Sequence, residues 1–534
     1  MGFFKVLQKI RKSSRPDPNP PATPFGTDAA LRPSLRENLQ KVRETLGNST
    51  DLIIREVAVG EGGTLRAAVL YTDGLTDVKS VDRFILEALM ADGVLTLAEQ
   101  TGTLPGALQK LKDRALTVSE IRDVADFNTL FTQLLSGDAV ILLDGYAQGF
   151  TVAMGQWEER GVTEPTSQTV VRGPREGFSE NIRTNTALIR RKIKDPHLWL
   201  ETRVIGTVSK TDVAIMYIKG IANDKVVEEV RRRLNRIVID GILESGYIEE
   251  LIQDSSYSPF PTVFHTERPD VIAAGLMEGR VAILVDGTPF VLLVPSLFIH
   301  FFQVSEDYAQ RADIAVLIRL LRILSLGIAL LGPSLYIAIT TFHQEMIPTG
   351  LLISLAAQRE GVPFPAFVEA FIMEVAFEIL REAGVRLPRT VGQAVSIVGA
   401  LVIGEAAVRA GIVSASMVIV VSITAIANFV FPAFNMAISI RMLRFPMMLL
   451  VASFGLYGIT VGLIALVLHL CSLRSFGIPY MAPFGPFIMA DQKDAVFRVP
   501  WWGMFARPRL INQNNTQREQ NPPTSDLKPD PRGS

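Results

Sequence analysis

Residues 387–411 read LPRTVGQAVSIVGALVIGEAAVRAG, and this stretch indicates how the chain folds. Pro388 stands where a helix can begin, because proline is tolerated in the first helical turn. As an α-helix, residues 391–410 would rise about 30 Å, which is roughly the apolar thickness of a bilayer. The stretch therefore predicts a helix of membrane-spanning length.

Two neighbouring faces of this predicted helix differ in character. Residues that recur at steps of four and three lie on one face, and they are Val391, Val395, Val398, Val402, Glu405 and Arg409. The adjoining face carries mostly small side chains, namely Gly392, Ser396, Gly399, Ile403 and Ala406. Small residues let helices approach closely in lipid, so this helix is expected to pack against protein.

A charge pair stands at the end of this helix. Glu405 and Arg409 are four residues apart, which allows them to pair along the helix. Because charges inside a membrane are costly, the functional interpretation is that both face protein or water rather than lipid. The alternative is a buried packing helix whose ion pair lies at the membrane surface.

The overall charge excludes one class of partner. The chain has 534 residues, and 53 Lys+Arg against 54 Asp+Glu give a formal charge of -1, so no nucleic-acid partner is predicted. Charged residues are concentrated before about residue 313 and apolar residues after it. Cys471 is the single cysteine, which rules out an internal disulfide. Residues 1–15 lack the apolar core of a signal peptide, so the N-terminal part is expected to stay cytoplasmic.

These shifts in composition predict an α/β cytoplasmic N-terminal region of two similar subdomains, followed by an α-helical multi-span membrane domain. The predicted segments are a basic start with a Pro-rich linker (1–33), soluble α/β subdomain 1 (34–160), a basic connector (161–194), soluble α/β subdomain 2 (195–310), the helical membrane domain (311–490) and a polar, mostly disordered tail (491–534).

An internal repeat supports the two subdomains. The motif AVLYTDGL at 68–75 aligns with AIMYIKGI at 214–221, and GDAVILLDG at 137–145 aligns with GRVAILVDG at 279–287. In the second pair an apolar run ends in Asp-Gly and another apolar run follows, which predicts a β-hairpin. Chance similarity of two short strand motifs is the alternative.

The predicted connector is strongly basic. Its arginines are Arg172, Arg175, Arg183, Arg190 and Arg191. Such a run can dock onto an acidic protein surface or onto lipid headgroups, and a solvated connector is an equally good interpretation.

The membrane block begins near residue 312. Its predicted spans are 315–342, 391–410, 413–440 and 445–473, and Arg319 and Arg322 are expected to reach the inner headgroups. The third span contains Asn428, Pro432 and Asn435, so a helix kinked against protein is predicted there. Residues 346–358 are interpreted as re-entrant or interfacial, and 363–384 as lying on the membrane surface or lining a wet vestibule. The number of spans and the side of the tail stay open.

Catalytic chemistry has no support in the sequence. The phosphate-loop, nucleophile-elbow, zinc-protease and CxxC motifs are absent, and the five histidines are scattered. We therefore predict no enzyme activity, cofactor or metal site.

Three stretches carry a resemblance to a known family. They are VRGPREGF with IRTNTALIRR (171–178 and 182–191), VGQAVSIVGALVIGE (391–405) and RMLRFP (441–446). Together they resemble the A subunit of the GerA-type spore germinant receptors over about residues 34–500. A SpoVA-associated A-like relative is similar over the same region.

The resemblance implies a multi-pass protein of the spore inner membrane that senses nutrients and triggers germination. It also implies a transporter-like B subunit and a lipoprotein C subunit as partners, and a homo-oligomer that forms a ligand-gated cation channel. We hypothesise that the valine face lines the pore and that Glu405 attracts cations. A secondary transporter component and a membrane-anchored scaffold for germination proteins are the alternative functions.

Overall fold

The computed structural model of the chain describes residues 30–59, 65–90, 121–155, 165, 168, 170–386, 404–504, 506–512 and 515–518. These residues form two five-stranded sheets with their helices, then a helical part, then a C-terminal segment that returns to the second sheet.

The first sheet and its helices occupy the start of the described chain. The elements are α1 (Leu35–Thr45), β1 (Leu52–Val59), β2 (Leu65–Thr72), α2 (Val78–Ser80, the π-helical Val81–Leu86 and Glu87–Met90), β3 (Ile121–Val124), α3 (Phe127–Leu134), β4 (Ala139–Leu143) and β5 (Gly149–Val152). Helices α1 and α3 cover one face of the sheet and α2 covers the other. The central strand β4 is therefore buried along its whole length, as its continuous apolar run predicts.

The second sheet repeats this arrangement. Its elements are α4 (Ile182–Lys192), β6 (Leu198–Ile205), β7 (Thr211–Ile218), α5 (Asp224–Asn235), α6 (Ser245–Ile252), β8 (Phe264–Thr266), α7 (Pro269–Met277), β9 (Val281–Val285) and β10 (Val291–Val294). The strand orders are β1-β2-β4-β5-β3 and β6-β7-β9-β10-β8, and neighbouring strands are antiparallel in both.

The motifs that indicated a repeat lie on equivalent strands. One pair falls on β2 and β7, and the other ends in the β4–β5 and β9–β10 hairpin turns. Each turn also caps a helix: Asp144 Oδ1 accepts a hydrogen bond from the backbone N–H of Leu35 at 2.9 Å, and Asp286 Oδ1 accepts one from Ile182 at 3.0 Å. Each Asp-Gly dipeptide therefore serves both the hairpin turn and the start of the first helix of its sheet.

The prediction of a connector over residues 161–194 is wrong for its last part, which is a helix of the second subdomain. Residues 182–192 form helix α4, which begins after the N-cap Asn181 and buries Ile182, Leu188 and Ile189 against the second sheet. This helix takes the place that α1 has on the first sheet, so the second unit begins before residue 195. The basic residues of its last turn hid the apolar face in the sequence pattern.

A buried ion pair joins the two sheets. Arg190 of α4 donates to Asp51 through two bonds, Nε to Oδ2 at 2.8 Å and Nη2 to Oδ1 at 3.0 Å, and the side chains are 1% and 2% exposed. Backbone contacts flank the pair, because Thr50 N donates to Leu200 O at 3.2 Å and Leu200 N donates to Ser49 Oγ at 3.1 Å. Bidentate, charge-assisted bonds of this kind fix orientation as well as distance.

A short neck, residues 295–311, follows the second sheet and contains α8 (Glu306–Ala309). The elements of the helical part are α9 (Ala312–Thr341), α10 (Thr349–Arg359), α11 (Ala366–Arg386), α12 (Ala415–Phe429), α13 (Phe434–Phe454) and α14 (Leu456–Ser472). Among the described residues, α9 and α13 are long and apolar enough to cross a membrane, and α12 and α14 are shorter apolar helices.

The predicted single span 445–473 is instead a helical hairpin. Gly455 separates α13 from α14 with φ 60° and ψ -140°, a conformation open essentially to glycine alone. The two helices then pack closely, because a Cβ on Gly458 would lie 2.5 Å from the carbonyl oxygen of Leu450. The prediction failed because one apolar run contains both helices.

The predicted kinked helix 413–440 is also wrong. Helix α12 ends at Phe429 and α13 begins at Phe434, so Pro432 lies in a non-helical link between them. Phe431 and Ala433 of this link pack into a cluster with Phe302 of the neck. The proline therefore accompanies the end of a helix rather than a bend within one.

The tail 491–534 is packed over its first part, contrary to the prediction. Asp494 joins the ion pairs at the base of α9, and Ile511 is buried in the core of the second sheet. The tail therefore lies on the same side of the helical part as the sheets. The rest of the predicted disordered tail, residues 519–534, lies outside the described residues.

Replacing Asp51 or Arg190 by alanine should lower the free energy of unfolding by about 3–5 kcal/mol, because either change leaves a buried charge without its partner. Denaturant unfolding of the detergent-solubilised chain, followed by tryptophan fluorescence, measures this. Arg183→Ala is the control, since Arg183 Nε lies 3.5 Å from Asp73 at the surface and its loss should cost less than about 1 kcal/mol. Equal, small losses of unfolding free energy for all three variants would contradict the role of the Arg190–Asp51 pair in joining the two sheets.

Gly455→Ala should destabilise the helical hairpin by about 1–3 kcal/mol from backbone strain alone. An added Cβ would also lie 2.9 Å from His343 Cε1 and 3.0 Å from Phe342. The measurement is the thermal unfolding midpoint in detergent. Gly327→Ala is the matched control within α9, where an added Cβ meets no atom within 4 Å, and it should leave the midpoint unchanged or raise it.

Candidate functional site

The helical part has apolar side chains outside and ionised side chains inside. Large apolar residues are exposed on several helices, among them Leu317, Leu324, Ile423, Ile426, Leu449, Ile464 and Leu468. By contrast, Glu374 and Arg444 are 0% and 1% exposed. In water this distribution would leave a large apolar surface uncovered, whereas in lipid it satisfies both kinds of residue.

The central pair ties three helices together. Arg444 of α13 donates through Nη1 to Glu374 Oε2 of α11, and through Nε to the carbonyl oxygen of Ala329 in α9 at 2.7 Å. Pro333, four residues after Ala329, has no N–H to donate to this carbonyl, so the guanidinium supplies the donor that the helix lacks and links the backbone of one helix to the carboxylate of another. An arginine suits this role because its donors point in several fixed directions.

A second pair lies along the same two helices. Arg441 Nη1 donates to Glu378 Oε2 at 2.9 Å, and Arg441 Nε donates to the Ala437 carbonyl oxygen at 3.3 Å. Arg381, on α11 itself, approaches the same carboxylate oxygen at 3.3 Å. Because the helices run antiparallel, the earlier arginine of α13 meets the later glutamate of α11.

A third carboxylate fixes the beginning of α11. Glu369 is fully buried, and its Oε2 accepts from Ser414 N at 2.9 Å and from Ser414 Oγ at 2.8 Å. Ser414 is the N-cap of α12, so Glu369 ties one helix to the start of another. Arg359, at the end of α10, brings its Nε to 3.4 Å from Glu369 Oε1.

The surface or vestibule position predicted for residues 363–384 is therefore wrong. Helix α11 packs along α9, α12 and α13, and Glu369 and Glu374 are fully buried between helices. The pattern misled because Glu374, Glu378 and Glu382 recur at steps of four, which in sequence is typical of a wet face. The cationic partners of Glu374 and Glu378 lie on another helix, 70 and 63 residues later, and are not visible in the local pattern.

The base of α9 holds another buried ion network. Asp307 of α8 accepts from Arg319 Nε at 2.9 Å and from Arg322 Nη1 at 2.8 Å. Arg319 Nη1 also donates to Asp494 Oδ1 at 2.9 Å. The sequence predicted that these two arginines reach toward the headgroups, and that prediction is wrong. The neck and the tail supply carboxylates that pair with them instead.

Tyr308 completes this network. Its hydroxyl donates to Asp494 Oδ2 at 2.8 Å. Burial raises the pKa of Tyr308 well above its ordinary value, and the negative charge of Asp494 raises it further. Burial also raises the pKa of Asp494, although Arg319 opposes that shift. The network thus joins α9 to the neck and to the C-terminal segment.

The predicted pore face lies mostly outside the described residues. Val391, Val395, Val398 and Val402 belong to 387–403, of which nothing is described. Glu405 and Arg409 are described, and they pair at 2.6 Å with side chains 55% and 79% exposed. Their predicted pairing is therefore seen, and both remain accessible from outside the chain.

The two asparagines predicted to lie within the membrane have different surroundings. Asn428, near the end of α12, is buried, and neither atom of its amide has a hydrogen-bond partner among the described residues. Asn435, in the first turn of α13, has its Nδ2 3.4 Å from His265 Nδ1 and so contacts the second sheet. Asn435 is thus a contact between the two parts of the molecule.

The connector arginines divide into three groups. Arg172 and Arg175 are exposed, Arg183 and Arg191 lie near Asp73 and Glu176, and Arg190 is the buried partner of Asp51. Arg190 is therefore not available to dock an acidic surface. In the part of the chain that the structure describes, no group of three or more His, Cys, Asp and Glu side chains could hold a metal ion.

Comparison with known proteins places these features in a family. Residues 40–510 match the family described as Bacillus/Clostridium GerA spore germination protein. The chain is 50% identical to Spore germination protein KA of Bacillus subtilis (strain 168) over 504 residues, which cover 94% of this chain and 91% of that protein. It is 42% identical to Spore germination protein GerLA of Bacillus cereus, covering 91% of this chain and 97% of that protein.

A solved structure also matches the N-terminal part. It is the N-terminal domain of the A subunit of the Bacillus megaterium spore germinant receptor GerK3, with 42% identity and a TM-score of 0.41, and the match covers 51% of this chain and 98% of that chain. The resemblance that the sequence motifs indicated is confirmed by the family match and by the two full-length relatives. The chain belongs to the GerA family of spore germination proteins.

Proposed function

We propose that the chain is the membrane subunit of a nutrient germinant receptor that triggers spore germination. The observation that carries the proposal is the inverted polarity of the helical part, with apolar side chains outside and the Glu374–Arg444 pair inside. This polarity fits a multi-pass protein of the spore inner membrane. The family supplies the germination role, since its members are spore germination proteins.

The contacts at the base of α9 support a topology. Asp494 bonds to Arg319, so the C-terminal segment and the two sheets share one side of the bilayer in this proposal. That requires an even number of crossings. Helices α9, α11, α12, α13 and α14 together with the predicted span 391–410 give six, which meets the requirement. With the N-terminal region in the cytoplasm, the tail is cytoplasmic as well.

The receptor forms an oligomer around a cation pathway in this proposal. Identical copies bring the predicted valine face (Val391, Val395, Val398 and Val402) together around an axis, where valine rings close the pore by excluding water. Glu405 attracts cations at the mouth of the pathway, and its exposure leaves it open to water and to neighbouring copies. A transporter-like B subunit and a lipoprotein C subunit complete the receptor and respond to the nutrient.

Replacing Val398 or Val402 by alanine should let ions leak without a nutrient, because a smaller side chain widens and wets the constriction. We expect a several-fold rise in cation flux from liposomes that contain the purified chain with its partner subunits. The control is Val461→Ala, which changes a partly exposed valine of α14. Unchanged flux with both pore variants would argue against the gate, and substrate uptake without conductance would favour a transporter.

Glu405→Gln should reduce the preference for cations over anions several-fold, since it removes the charge at the mouth of the pathway while keeping the shape of the side chain. Reversal potentials in planar bilayers under a salt gradient measure the preference. Glu360→Gln, which neutralises another exposed carboxylate, is the control. If both variants keep the preference of the wild type, the pathway lies elsewhere, and if no preparation conducts, the chain serves as a scaffold.

A further inference from the structure

We propose that α11 and α13 form a sliding contact with two registers. In the first register, which the structure shows, Arg444 pairs with Glu374 and Arg441 pairs with Glu378. In the second register α11 is displaced by one helical turn, so that Arg444 pairs with Glu378 and Arg441 pairs with Glu382. The inference deepens the proposed function, since it names the movement that opens the receptor.

The spacing of the charges permits both registers. Helix α11 carries carboxylates four residues apart at Glu374, Glu378 and Glu382, one more than the arginines that α13 presents. A displacement of α11 by four residues, about 6 Å along the helix axis, again places a carboxylate opposite each arginine. Glu374 then leaves the contact, and it can take up a proton there, which an arginine without a carboxylate cannot match by losing one. The opposite displacement would bring Ala370 to Arg444 and leave the arginine without a carboxylate. The contact therefore allows movement in one direction only.

The existing bonds are of a kind that can be exchanged. Each pair is held by one carboxylate oxygen, and Glu374 Oε1, Glu378 Oε1 and Arg444 Nη2 have no hydrogen-bond partner among the described residues. By contrast, Arg190 and Asp51 share two bonds. A contact held by single bonds can pass to a neighbouring carboxylate while keeping each arginine close to a negative charge. That matters because an unpaired charge inside the membrane is costly.

In the second register the new pair is Arg441 with Glu382, and Glu382 is available for it at small cost. Glu382 is 57% exposed and bonds to Arg386 four residues later in the same helix at 2.7 Å. Exposed pairs of this kind contribute little to stability, so Arg441 can displace Arg386 at small cost. Glu378 is already bound to Arg441 and needs only to exchange it for Arg444.

Glu369 holds α11 in the first register. Its bonds to Ser414 N and Ser414 Oγ must break when α11 moves toward its own N-terminal end, because Ser414 belongs to the start of α12. Release of Glu369 from Ser414 is therefore the step that lets α11 move.

Cross-linking of paired cysteines tests the two registers without reference to germination. The rings of Phe371 and Phe445 lie 5.9 Å apart between centroids, so cysteines at 371 and 445 report the first register. A shift of four residues brings Val375 opposite Phe445, so cysteines at 375 and 445 report the second. Both pairs are placed in the full chain with Cys471→Ser, in membranes, and treated with a short bifunctional thiol reagent.

Glu369→Ala should raise the cross-linked fraction of the 375–445 pair several-fold and lower that of the 371–445 pair, because it removes the bonds from Glu369 to Ser414 that hold α11 in the first register. Ser414→Ala removes one of the two bonds and should act in the same direction more weakly. Adding Glu382→Gln to Glu369→Ala should reverse the gain, since Arg441 then meets no charge. Glu360→Ala is the control and should change neither pair. Absence of the 375–445 product in every variant, or its indifference to Glu382→Gln, would overturn the proposal.

A germination assay tests whether the register of α11 and α13 controls the response to a nutrient. Spores whose receptor carries Glu382→Gln should germinate several-fold more slowly with a nutrient mixture, whereas Arg386→Gln, which frees Glu382, should not slow them. If wild-type receptor supports no response, the proposed function fails while the cross-links still decide the register. If the cross-links shift as expected and Glu382→Gln germinates normally, the movement exists but does not open the receptor.

Discussion

The bond between Arg444 and Glu374 is the interaction on which the helical part depends. A guanidinium and a carboxylate surrounded by apolar side chains are stable only as a pair, so α11 and α13 must lie side by side at that height. The second contact of the arginine, to the carbonyl oxygen of Ala329, extends the same requirement to α9. Apolar packing alone would allow these helices several alignments, and the charges select one of a small set.

The same kind of constraint joins the separate parts of the molecule. Arg190 and Asp51 fix one sheet against the other, and Arg319 holds α8 and the C-terminal segment at the base of α9. A continuous series of contacts therefore runs from the second sheet through the neck to α9, and from α9 through Arg444 to α11. The steps from the neck to α9 and from α9 to α11 are polar contacts with defined partners.

The two halves of the N-terminal region show how a repeat is adapted. Both sheets share one strand order, and both use the Asp-Gly turn to cap their first helix. Within the described residues, the second sheet receives the C-terminal segment, whose Ile511 enters its core, and it contacts α13 through His265, whereas the first sheet does neither. The first sheet is attached to the rest of the described chain through the second.

The sequence by itself determined the two-part α/β region, the hairpins at the Asp-Gly dipeptides, the apolar helical part and the family, because these depend on local patterns and on long motifs. It did not reveal that Gly455 divides one apolar run into two helices, since the run is uniform and only the backbone conformation marks the turn.

The partners of Glu374, Glu378, Arg319 and Arg190 were decided by the tertiary structure. Charges at steps of three and four look the same in sequence whether they face water or a buried partner on another helix. Only the packing of distant segments distinguishes the two cases, because the partner of each charge lies on a separate element and local periodicity contains no information about it.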